Sequence, residues 1–184
     1  MKSDGRDFEK YRPYLQLLAQ LQTAPRLRAK VDLSGVVQQT MLDAHQAAAL
    51  KRAAALGDTA IWLRRILARN LTDEVRRQKA EKRDLARERS IDQAMEHSAA
   101  RLQEWLGAMQ SSPSVQLQRK ENELALAAAL AELSEANRQA LMLRYLEGLS
   151  LAAIASQLDR TPAAVAGLLK RGLQQLRERL QERI

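Results

Sequence analysis

The chain has 184 residues, of which 46% are hydrophobic, 28% charged and only 3% aromatic. It holds no cysteine, which excludes disulfides and thiolate metal sites, and no apolar run reaches membrane-spanning length. A formal net charge of +8 points to a polyanionic partner, most simply nucleic acid. The excess is unevenly placed, because residues 1–89 hold 19 Lys/Arg against 11 Asp/Glu whereas residues 90–184 hold 11 of each.

Apolar residues recur at helical spacing along the chain, and no alternating strand pattern is present. The fold class read from this is all-α: two small helical domains joined by a linker, the C-terminal one a helix-turn-helix. A first helix is predicted from Asp7 to Thr23, with Tyr14, Leu17, Leu18 and Leu21 on one face and Pro25 beyond its end. Asp32 is a good N-cap for a second, Leu33 to Ala49. Gly57-Asp58 breaks the chain, and Asp58 or Thr59 caps a third helix reaching Arg77. Residues 76–89, RRQKAEKRDLARER, read as a frayed helix end or a solvated helix. Trp105 and Leu106 form an apolar island that can dock on its own domain or on a partner, and MQSSPSVQ at residues 109–116 reads as a linker.

The C-terminal part reads as a second compact unit. A helix from Leu117 to Leu133 precedes one that Ser134 caps and Gly148 stops after Glu147. Ser150 caps Leu151 to Leu158, Asp159-Arg160 makes a turn, and Thr161 caps the last helix with Pro162 in its first turn. Helix, short turn and helix at this spacing describe a DNA-binding unit, although hairpins in plain bundles share it.

Two surfaces carry chemistry. On the third helix Trp62, Arg65, Arg69, Thr72 and Arg76 share one arc, beside an apolar face of Leu63, Ile66, Leu67, Leu71 and Val75. Arginines at this pitch can follow phosphates, and an aromatic among them can stack on an unpaired base. The same spacing also suits a solvated basic face with Trp62 partly in the core. Asn70 projects toward the apolar side. It is either a buried amide bonded to a neighbouring loop or a pocket side chain offering both donor and acceptor to a base edge.

On the last helix Val165, Leu168, Leu169, Leu173 and Leu176 make the core face, and Ala163, Gly167, Lys170, Arg171, Gln174 and Arg177 the opposite arc. Small residues followed by basic ones suit close phosphate contact more than direct base readout, with Thr161 and Gln174 the exceptions. There is no Gly-rich phosphate loop and no nucleophile–base spacing, and His45 and His97 stand alone. The chain is therefore not expected to be an enzyme, and no metal or other cofactor is expected.

Three stretches in series resemble bacterial sigma factors of the small, two-domain extracytoplasmic-function type. DLSGVVQQTMLDAH (32–45) is similar to their helix that grips RNA polymerase, and WLRRILARNLTDEVRR (62–77) to the helix that melts and reads the minus-ten promoter element. LSEANRQALMLRYLEGLSLAAIASQLDRTPAAVAGLLKRGLQQLRERL (133–180) is similar to the domain that binds the minus-thirty-five element.

The resemblance implies a melting and polymerase-binding domain at 1–90, a linker at 91–118 passing near the polymerase active centre around Pro113, and a helix-turn-helix domain at 119–184. It implies polymerase contacts at Asp32, Val36, Val37, Gln38 and Leu42, less charge-driven than usual because Gly35 and Gln39 stand where the family commonly has acids. The implied minus-ten contacts are Trp62, Arg65, Arg69, Asn70, Thr72 and Arg76. Asn70 falls at the pocket for a flipped base, which the loop from Leu50 to Asp58 would complete. The implied minus-thirty-five contacts are Thr161, Ala163, Gly167, Lys170, Arg171 and Gln174. Ala166 and Leu168 replace the family's common basic side chains there.

The implied partners are core RNA polymerase, promoter DNA and, for the family, an anti-sigma factor, without membrane insertion. The implied location is the cytoplasm, which the lack of a signal peptide pattern also suggests. The competing readings are a stand-alone helix-turn-helix regulator not associated with polymerase, and a helical adaptor with no nucleic-acid role.

Overall fold

The computed structural model describes residues 8–23, 28, 30–49, 59–79, 85–109 and 119–182. The loop at 50–58 and the stretch around Pro113 lie outside the described residues. Among the described residues there are eight α-helices and no strand, so the chain is all-α. The helices are α1 (Arg12–Gln22), α2 (Leu33–Ala49), α3 (Thr59–Lys79), α4 (Leu85–Met109), α5 (Arg119–Ala131), α6 (Glu135–Leu141), α7 (Leu151–Gln157) and α8 (Pro162–Gln181). They fall into two compact units, Met1–His97 and Ser98–Ile184.

In the first unit the chain enters through a 3-10 turn, Glu9–Tyr11, and not through the longer helix expected from Asp7. Pro13 explains the difference: it lacks an N–H and fits only the first turn of an α-helix, which here starts at Arg12. Helices α1, α2 and α3 pack together. Their core holds Tyr14, Leu15 and Leu18 from α1, Val37, Met41 and Ala44 from α2, and Leu63, Leu67 and Leu71 from α3. Phe8 closes one end, its ring edge-on to His45 at 5.0 Å and tilted against Trp62 at 5.8 Å. The α1 side chain Gln22 donates to the Ala94 carbonyl at 3.2 Å and so holds the first half of α4 in this unit.

Helix α4 is longer than the sequence suggested. Much of the segment read as a linker, up to Met109, is helical. Its buried stripe is sparse and embedded in charged residues: Met95, Ala99, Leu102, Trp105 and Leu106 recur at helical spacing. In the second unit the apolar island finds its partner within its own domain. Trp105 stacks on Tyr145 with ring centroids 4.8 Å apart and planes 4° from parallel, and Arg101 donates to the Leu146 carbonyl.

The helix expected from Ser134 to Glu147 is α-helical only to Leu141. Residues Met142–Leu146 widen into a π turn, in which the Glu147 N–H reaches back to the Met142 carbonyl at 3.0 Å. Gly148 follows with a φ of 73°, a conformation that suits a residue without Cβ. Leu143, Ile154, Ala155 and Val165 then form the small core that joins this turn to α7 and α8.

The turn between α7 and α8 is fixed by backbone chemistry. The Arg160 N–H bonds the Ala155 carbonyl at 2.9 Å and the Asp159 N–H bonds that of Ser156 at 3.4 Å, the paired closure of a Schellman motif. Asp159 takes the left-handed position with a φ of 51°. Aspartate tolerates this conformation better than most residues because its short side chain bonds locally. Further along, α8 meets α6 at Gly172, where an added Cβ would stand 3.1 Å from Leu141 Cδ1.

Replacing Gly172 by valine is therefore expected to destabilise the protein by about 1–3 kcal/mol through overpacking. Chemical denaturation followed by far-UV circular dichroism measures it.

Candidate nucleic-acid interface

In the second unit, the residues expected to face DNA share one solvent-facing side of α8. Thr161, Ala163, Lys170, Arg171 and Gln174 are exposed and Gly167 is half-buried, while Val165, Leu168 and Leu176 point inward. The start of α8 is set by its cap. Thr161 Oγ1 accepts from the Ala164 N–H at 3.2 Å, which satisfies one of the otherwise unpaired N–H groups of the first turn. Ser150 caps α7 in the same manner, accepting from Ala153 N–H at 3.2 Å.

The helix-turn-helix is tied to its support by Asn137, which donates to Gln175 Oε1 at 2.9 Å. Lys170, Arg171 and Arg177 form no hydrogen bond or ion pair among the described residues, so their charge is available to an anion. Arg179, by contrast, is paired with Glu132, and Gln174 donates to Glu178 at 3.1 Å. The Arg171 guanidinium lies back over Gly167, 3.2 Å from where a Cβ would stand. Gly167 thus provides a seat for Arg171 as well as a low surface.

In the first unit α3 turns Arg65 and Arg69 outward. Arg65 has no bonding partner among the described residues, while Arg69 reaches Asp43 Oδ2 at 3.1 Å with 57% of its side chain exposed. Arg76 pairs with Asp73 at 3.4 Å. Trp62 is half-buried against Phe8.

Thr72 does not belong to this face. It is 1% exposed and its hydroxyl donates to the Ala68 carbonyl at 2.8 Å. Thr72 sits at the edge of the arginine arc, next in angle to the buried Ala68 and Val75, and the packed neighbours take it in. Asn70 is half-buried on the other border of the apolar face. It donates to Thr40 Oγ1 at 3.2 Å and to Asp43 Oδ2 at 3.0 Å.

On α2, the residues expected to meet polymerase divide. Gln38 is exposed and Leu42 is 48% exposed, one turn apart on a free face. Val36 and Val37 are buried in the protein's own core, because α1 and α3 both pack on α2. Asp32 is exposed and caps the helix, accepting from the Gly35 N–H at 2.9 Å. A Cβ at position 35 would crowd that carboxylate, whose free oxygen would have to turn aside.

Sequence reasoning missed Asp43 and Thr40 as partners of Asn70. Their one-turn spacing on α2 was visible, but the α3 residue they would meet was not.

Among the described residues no group of His, Asp and Glu could hold a metal ion, and no helix is long and apolar enough to cross a membrane. Residues 123–176 match the family model described as Sigma-70, region 4. The C-terminal unit therefore contains a sigma-70 region 4 domain, a helix-turn-helix of a non-enzymatic family that binds the minus-thirty-five promoter element. The match leaves the residues before it unassigned. No curated protein matches the chain.

Replacing Lys170 and Arg171 together by glutamine is expected to weaken duplex binding across sequences. The slope of log affinity on log salt should flatten by about 2. A salt titration by fluorescence anisotropy tests this, and a sharp change in sequence preference would contradict phosphate contact.

Proposed function

We propose, with the region 4 domain at residues 123–176 as premise, that the protein is a two-domain sigma factor of the extracytoplasmic-function type. It binds core RNA polymerase and directs promoter-specific initiation in the cytoplasm. Residues 1–90 bind polymerase and melt and read the minus-ten element. Residues 91–118 connect, and residues 119–184 anchor on the minus-thirty-five element.

One observation supports the N-terminal assignment above others. The packed pair α2–α3 carries two different outward faces. Asp32, Gln38 and Leu42 offer a mixed polar and apolar surface suited to a protein partner, and Arg65 and Arg69, flanked by the half-buried Trp62 and by Arg76, whose side chain is 13% exposed, a cationic surface with an aromatic member suited to a DNA strand. Val36 and Val37 then support the polymerase face from beneath, and Thr72 supports the strand face.

Two weak anchors on one chain reinforce each other through effective concentration. That accommodates the short side chains at the start of α8.

Reconstitution with core polymerase from the same cell tests the reading. Co-elution and promoter-dependent initiation are expected. Tight, specific duplex binding by the protein alone, with no polymerase association, would overturn it in favour of a stand-alone regulator. Within the reading, Asn70→Ala is expected to lower open-complex formation, measured by permanganate reactivity, more than it lowers polymerase association. Equal loss of both would make Asn70 purely structural.

A further inference from the structure

Asn70 is gripped by acceptors on both of its contacts. The Asp43 carboxylate can only accept. The Thr40 hydroxyl gives its single proton to the Val36 carbonyl at 2.8 Å, so toward Asn70 it too can only accept. Which end of an amide carries the nitrogen is decided by its partners. Here both partners demand the NH2 group, and turning the amide over would set its oxygen against two others.

Neither partner is free to adjust. Thr40 is fully buried. Asp43 is pinned by Gln39 Nε2 at 2.7 Å on Oδ1 and by Arg69 Nη2 at 3.1 Å on Oδ2.

Both Asn70 amide protons are thus consumed inside the protein. The carbonyl oxygen has no bond among the described residues, and it is not one of the buried atoms left without a partner, so it is open to solvent. The sequence allowed Asn70 to offer a donor and an acceptor; the fold leaves it the acceptor alone. A cavity of about 230 Å³ that Asn70 helps to line has the same bias, with carboxylates from Asp32, Asp73 and Glu74 and with Arg77 tied to Glu74 at 3.0 Å. Such a lining repels phosphate and receives neutral N–H groups.

We propose that Asp43 and Thr40 are positioning residues that present Asn70 as a pure hydrogen-bond acceptor, so that the nucleobase it takes is one offering an exocyclic amino or ring imino N–H. The proposal rests on the reading of α2–α3 as the strand-binding pair. It makes base choice at this site a property of α2 as much as of α3.

The test uses holoenzyme reconstituted with core polymerase and forked DNA carrying a single-stranded minus-ten segment. Each base in turn is replaced by an analogue lacking the donor: adenine by purine, cytosine by 2-pyrimidinone, thymine by its N3-methyl form and guanine by N1-methylhypoxanthine. At one position the loss of the donor is expected to weaken binding about tenfold. Asp43→Asn is expected to reduce that ratio to about twofold, because an amide in place of the carboxylate can meet either end of Asn70.

A ratio between two DNAs does not move when a variant is merely less stable. If Asp43→Asn does not fold at the assay temperature, Asp43→Ser, whose hydroxyl can donate as well as accept, reads the same ratio. An undiminished tenfold ratio in the folded variant would overturn the positioning role. A position sensitive to Asn70→Ala but indifferent to the donor would overturn the acceptor assignment and leave the sigma-factor reading standing. Holoenzyme that opens promoters with no position sensitive to Asn70→Ala would instead overturn the strand-reading role of α3, and this proposal with it.

Discussion

The Asp43 carboxylate is the point on which the α2–α3 pair turns. The apolar residues between these helices drive association, but hydrophobic burial is non-directional and tolerates small slides of one helix along the other. Charge-assisted hydrogen bonds do not. Through Gln39 on its own helix and Arg69 and Asn70 on the next, Asp43 fixes the register between the two helices. The exposed Gln38 and Leu42 and the exposed Arg65 and Arg69 then stand in a set relation. The α2 face proposed for a protein partner and the α3 face proposed for a nucleic acid are held to one another by a few polar bonds over a shared core.

Net charge and available charge separate in this protein. The first 89 residues carry the whole excess. Yet on α3 Arg64 donates to the Tyr14 hydroxyl at 2.9 Å and Arg69, Arg76 and Arg77 each face a carboxylate. The second half is neutral overall, but Lys170, Arg171 and Arg177 on α8 have no partner among the described residues. The Asp43 side chain is only 19% exposed and also holds Gln39 and Asn70, whereas the Arg69 side chain is 57% exposed and still presents its charge to solvent.

Much of the fold was legible in the sequence because helix ends are local chemistry. Asp32, Ser134, Ser150, Thr161 and Pro162 each sit where the structure starts a helix, since capping needs only neighbours three residues away. What required partners from afar was hidden. The π turn at Met142–Leu146, the stack of Trp105 on Tyr145 and the long α4 depend on contacts between distant segments. Thr72 lay at the edge of an arc, and which way an edge residue goes is decided by the helix that covers it. The exposed residues of α8 were readable for the opposite reason: nothing covers them. Asn70 was visible as a residue, but its orientation belongs to Asp43 and Thr40.

The cap on α8 has an electrical side. The aligned peptide dipoles of a helix place roughly half a positive charge at its first turn. Glu135 stands in the first turn of α6 and offsets that field, whereas α8 has no acid in its first turn and is capped by the neutral hydroxyl of Thr161. An aspartate would cap the helix equally well and cancel the field. With threonine the backbone itself stays electropositive at the end of α8 where side chains are too short to reach outward. Attraction for a phosphate there comes from the peptide groups, which no substitution among the alanines would remove.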